Sequence, residues 1–223
     1  KSIYEMQTQK KNKLLIEQDK KLLSQEIEIA GLYDPAENGL TMDMWLNSSG
    51  YEILNIFDKI KKIKLSSDAK EILNILFLTN AHYPNKNIST EEFLKLKSDW
   101  LIINNDFNLI EEYIIKNQSS GNNERLIKLL VNKYLSNSNV EKACEIFSKI
   151  NKILIDDYLY KFNIYCLINK KEKEQAQVLF DLKKEFGFKD IFFEKKYNYL
   201  MGYATEIDQD ISEKSIFDFH LSH

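Results

Sequence analysis

With 223 residues, 43% hydrophobic and 29% charged, the chain has enough apolar content for a sizeable core, and wholesale disorder is excluded. Its 31 basic and 34 acidic residues leave a net charge of -3 and are interleaved, which speaks against nucleic acid as the main partner, since that needs a concentrated basic face. Only 2 Pro and 6 Gly are present, too few for many short strands and their turns, so long helices are expected.

Residues 1–29 are rich in Lys, Gln and Glu, and Ile3, Met6, Leu14, Leu15, Leu22 and Leu23 are spaced for one weakly amphipathic helix, read as an arm. Residues 30–47 hold Gly31, Pro35 and Gly39 with no sustained helical period, which predicts an extended or turning connection. Its large apolar residues, among them Leu32, Tyr33, Met42, Trp45 and Leu46, need burial against the same molecule or a neighbour; the second option gives self-association through residues 30–47. This divides the chain into an arm and linker, 1–47, and a helical domain, 48–223.

From there, capping boxes mark the helix starts: a Ser or Asp oxygen caps the first turn and a Glu three positions on reaches back. The pairs are Ser49 with Glu52, Asp68 with Glu71, Ser89 with Glu92, Ser138 with Glu141 and Asp210 with Glu213. Apolar residues then recur at three and four, giving helices near 50–63, 68–80, 90–104, 107–117, 123–136, 139–150, 157–169, 172–186, 189–203 and 211–221. The expected fold class is all-α. No apolar run approaches the ~18 residues needed to cross a bilayer, and no signal-peptide core is visible. Because the chain starts at Lys1 and stops at His223 within a helical pattern, excision from a longer protein is open, and so is the compartment.

The most specific signal is internal repetition. WLIINNDFNLIEEY from Trp100, YLSNSNVEKACEIF from Tyr134 and LINKKEKEQAQVLF from Leu167 align at offsets of 34 and 33 residues. Trp100, Tyr134 and Leu167 correspond, as do Leu109, Ala143 and Ala176, and Tyr113, Phe147 and Phe180. Two antiparallel helices approach closely where one offers a small residue to the other's bulky one; Ala143 and Ala176 fit that need, with an aromatic one turn on to wedge the next pair. The units run over 90–122, 123–155 and 156–188, with 189–203 and 211–221 as an atypical last hairpin. This pattern resembles the tetratricopeptide repeat, and that resemblance implies αα-hairpins stacked into a right-handed superhelical solenoid. The chain departs from the family pattern where a small residue on the first helix is replaced by Lys97, Val131 and Ile164, and in lacking the proline at each repeat end.

By the same resemblance, the first helix of each unit lines an inner groove, whose candidate residues are Leu94, Ser98, Leu101, Lys128, Asn132, Leu135, Lys161, Tyr165 and Ile168. Lys128 and Asn132 match part of the clamp with which some members hold a peptide's terminal carboxylate, whereas Phe162 stands where the next repeat would supply Asn. A mixed polar and apolar peptide groove is expected.

Chemistry has no visible carrier. His82, His220 and His223 form no metal pattern, and there is no phosphate-binding glycine loop, nucleophile elbow or His-Glu-x-x-His; no metal, cofactor or catalytic residue is expected. Paired acids such as Asp156 and Asp157 are accounted for by helix starts or solvent. Cys144 and Cys166 read as small core residues, with a disulfide left open because they fall on neighbouring helices. The expected function is a non-catalytic scaffold or adaptor for a peptide segment or partner protein. The alternative is the helical superstructure of a larger enzyme, for example one acting on cell-wall polymer.

Overall fold

The computed structural model describes residues 29–118, 123–149, 156–206 and 208–223. The expected arm lies outside the described residues except for Ile29. The described residues form ten α-helices and no strand: α1 Gly50–Ile60, α2 Ser67–Leu78, α3 Thr90–Asn104, α4 Phe107–Lys116, α5 Glu124–Ser136, α6 Val140–Ser148, α7 Asp157–Asn169, α8 Lys173–Glu185, α9 Ile191–Met201 and α10 Ile216–Leu221.

Short polar side chains set most starts, because each accepts a hydrogen bond from a backbone N–H that the first helical turn leaves over. The box at Ser89 forms as expected: its Oγ accepts from Glu92 N at 3.1 Å, and the Glu92 carboxylate accepts from Ser89 N at 2.8 Å. The other expected caps shift. Ser49 flanks α1 without a side-chain cap bond, Ser66 caps α2 in place of Asp68, and Asn139 caps α6 in place of Ser138. Asp106, Asp156 and Asp190 cap α4, α7 and α9, and Ser215 rather than Asp210 caps α10.

Helices α3 and α4, α5 and α6, and α7 and α8 pair as successive hairpins, while α3, α5, α7 and α9 touch in series. The hairpin turns repeat in detail: Asn105, Ser138 and Lys171 each close a first helix with positive φ, at 55°, 57° and 65°. Such left-handed backbone is uncommon outside glycine. The three positions follow one another at 33 residues. Packing is periodic as well. Lys97, Val131 and Ile164 are all buried, as are Ala143 and Ala176, whereas Leu109 is half-buried.

The segment before α1 is woven into the fold. Leu32 N donates to Leu78 O at 2.6 Å, Asn80 N to Tyr33 O at 2.9 Å, and His82 N to Met42 O at 2.7 Å. Gly31 lies so close to α2 that a Cβ there would stand 2.6 Å from Leu78 O. Lys97, 0% exposed on α3, donates from Nζ to Ala30 O at 2.5 Å and Thr79 O at 3.2 Å, with the Tyr83 and Phe93 rings beside it. Trp45 packs on Phe77 and Phe93. The self-association expected of residues 30–47 therefore loses its premise: Leu32 and Trp45 are buried in their own chain, and of the large apolar residues there Met42 is the most exposed, at 41%.

One open reading is decided and one expectation is corrected. Cys144 on α6 and Cys166 on α7 form a disulfide with Cα atoms 5.3 Å apart, so they are both core residues and a covalent brace. The last helix is shorter than the expected 211–221, and it meets α9 through Phe217 and Phe193 without pairing along it as the second half of a terminal hairpin. It packs across α5, some ninety residues earlier in the chain.

Candidate partner-binding face

The groove residues named from the sequence separate into two groups. Leu94 and Ser98 on α3 are 9% and 2% exposed, and the Ser98 hydroxyl donates to Leu94 O in its own helix at 3.1 Å. Leu101 is also buried, so α3 offers none of the three to solvent. By contrast Lys128 and Asn132 on α5, and Lys161 and Tyr165 on α7, converge on one face.

That face is built by a repeated strut. Lys128 on α5 pairs with Asp156, the cap of α7, at 3.2 Å; one unit later Lys161 on α7 pairs with Asp190, the cap of α9, at 2.7 Å. In each pair the cation on one first helix holds the carboxylate that starts the next. Asp156 also accepts from Leu159 N at 3.0 Å, and Asp190 from Phe193 N at 3.0 Å. Burial acts to raise the Asp190 pKa, but the hydrogen bonds from Lys161 and Phe193 N outweigh it and leave the carboxyl below its ordinary value. Asn132 accepts from the Tyr158 hydroxyl, and Lys128 lies over the Tyr158 ring at 4.8 Å. Tyr158 is pushed well above the usual phenol range, first by burial and then by Asp218 and Asp156. Lys128, matched from the sequence to part of a carboxylate clamp, thus already holds the scaffold's own carboxylate, and the groove residue Lys161 does the same.

On this face sits α10. Phe217 is 0% exposed and stands among four rings: Tyr158 at 6.0 Å, Phe162 at 5.1 Å, Tyr165 at 5.4 Å and Phe193 at 6.3 Å between centroids. Its neighbour Asp218 accepts from Lys161 Nζ at 3.1 Å, making that lysine the centre of an Asp190–Lys161–Asp218 triad. One turn on, His220 Nε2 meets the Tyr165 hydroxyl at 2.9 Å. Burial lowers the His220 pKa, which favours the neutral ring, whose tautomer sets which of the two groups donates. His220 is half-buried.

Clefts remain on both sides of α10. One of about 690 Å³ runs between Leu135, Ser138, Ile216, Phe219 and His220. The other, about 470 Å³, is charged and bounded by Lys128, Lys161, Asp190, Ser215 and Asp218. Among the described residues no group of three His, Cys, Asp or Glu side chains could hold a metal ion, and no helix is long and apolar enough to cross a membrane.

Sequence reasoning left the disulfide open and missed the strut and the docking of α10. The strut had a signal: Lys128 and Lys161 recur at the repeat offset, as do Asp156 and Asp190. The chain matches no known family model, no curated protein and no solved structure.

Proposed function

We propose that this chain is a non-catalytic scaffold, a tetratricopeptide-like array of helical hairpins that takes a peptide segment or partner protein on the face made by α5, α7 and α9. The observation that carries this reading is the seat of α10: a short helix is held there by one buried aromatic residue and one buried ion pair, the means by which helices are bound in grooves. Stacked hairpins suit the role, because each unit adds a first helix to a continuous surface. The Cys144–Cys166 disulfide supports work in an oxidising compartment, where such bonds persist.

Asn132→Ala and Lys128→Ala in the full chain test the reading by affinity capture and identification of the retained proteins. Specific partners are expected to be retained less by the variants, with helical circular dichroism unchanged. An identical retained set from wild type and variants overturns it.

A further inference from the structure

Helix α10 identifies what the face recognises. It has six residues, too few to be stable in isolation, so its helicity depends on the surface beneath it. It is joined to α9 by residues 202–215, whose described members are non-helical, and of its own residues Phe217 and Asp218 are buried while Ile216 and Phe219 face outward. The docking rests on Phe217, the Asp218–Lys161 pair and the His220–Tyr165 contact, with Leu221 packed on the core, and is sustained by the high local concentration that a tether provides. The clefts beside it make the seat larger than the helix that fills it.

We propose that residues 212–223 are the chain's own stand-in for a partner: the face binds a helical segment of another protein in which an aromatic residue is followed directly by an acid, and α10 covers that site until such a segment displaces it. This rests on the scaffold reading above. The aromatic residue enters the cage of Tyr158, Phe162, Tyr165 and Phe193, as Phe217 does. The acid takes the place of Asp218 on Lys161. A polar acceptor three residues before the acid caps the incoming helix, as Ser215 does when it accepts from Asp218 N at 3.0 Å. A partner longer than α10 gains further contact in the flanking clefts.

The test uses the full chain and a fluorescent peptide of residues 209–223, read by anisotropy. Phe217→Ala empties the aromatic cage in cis, and Asp218→Lys drives α10 off by repulsion from Lys161. Either variant is expected to bind the peptide at least about tenfold more tightly than wild type does, since the wild-type site is occupied by its tether. A peptide carrying Phe217→Ala is expected to lose that binding. In wild type, amide hydrogens of 217–222 are expected to exchange by local opening, before those of α5 and α7.

The proposal is overturned if both variants remain folded yet fail to bind the peptide. It is equally overturned if both lose cooperative melting, or if the α10 amides exchange only with global unfolding, because α10 is then a fixed part of the core. Wild-type dimers held together through α10 assign the seat to a second copy and overturn the partner assignment. Any of these results, combined with weaker partner capture by Asn132→Ala, removes the stand-in and leaves the scaffold reading in place.

Discussion

Reducing the Cys144–Cys166 disulfide is expected to lower stability by about 3 kcal/mol, because the bond closes a loop across 22 residues of sequence and so restricts the unfolded chain. For a chain of this length each kcal/mol moves the melting temperature by about 2–4 °C, so the reduced protein melts about 6–12 °C lower. Reduction is a cleaner perturbation than substitution, since both cysteines are buried and replacing them would add cavity or hydroxyl effects to the loss of the bond. The measurement is a pair of thermal melts with and without a phosphine reductant, with intact mass confirming the gain of two hydrogen atoms. The bond also braces α6 against α7 near the site, where Phe147 meets Phe162 at 5.4 Å and Cys166 adjoins Tyr165. Reduction is therefore expected to speed amide exchange in α7 and α10 more than in α1 and α2. Coincident melts of the oxidised and reduced protein would refute the reasoning.

Other parts of the fold give separate tests. Burial lowers Lys97 from its ordinary 10.5 to about 7, so between those values the unfolded chain binds more protons than the folded one and stability rises with pH. The wild type is expected to gain about 2 kcal/mol relative to Lys97→Met between about pH 7 and pH 9 in urea unfolding; parallel pH dependences refute an uncharged Lys97. Gly31→Ala is expected to destabilise by about 1–3 kcal/mol, because its Cβ would meet backbone at 2.6 Å that is already hydrogen-bonded to Leu32 N; an unchanged denaturation midpoint counts against that close approach. Ser89→Ala removes the α3 cap and is expected to cost about 1 kcal/mol in the same assay, with a loss below about 0.3 kcal/mol refuting the cap's role.

Most of the helices were legible because their information is local. Caps and apolar spacing act within a few residues, so the boundaries of α3, α4 and α7 fall close to expectation. The burial of Ala143 and Ala176 was legible for a related reason: a small residue facing a neighbouring helix meets the same packing need in both hairpins. What could not be read was pairing across units. The thiols of Cys144 and Cys166 meet because of how α6 settles on α7, and spacing alone does not encode that register. Lys97 stands where a small residue was expected, and periodicity gives no hint that two distant carbonyls, of Ala30 and Thr79, accept its hydrogen bonds. The docking of α10 was least legible, since residues 202–215 could lead to many surfaces and only the aromatic cage with Lys161 selects one.

Lys161 shows how this arrangement tolerates loss of its covering helix. Its ammonium group is nearly buried and lies between Asp190 and Asp218. When α10 leaves, Asp218 returns to water and Lys161 keeps Asp190, so no uncompensated charge remains in the scaffold. Removing Lys161 has a different consequence. Asp190 loses its cation while still capping α9, and Asp218 is left against an apolar cage with no counter-charge. Lys161→Ala is therefore expected to lower the urea midpoint clearly more than Asp218→Asn, with its excess loss reduced at low pH as the Asp190 carboxyl becomes neutral. Equal losses from the two substitutions would mean that Lys161 stabilises the protein only through α10, and the strut from α7 to the start of α9 would then contribute nothing.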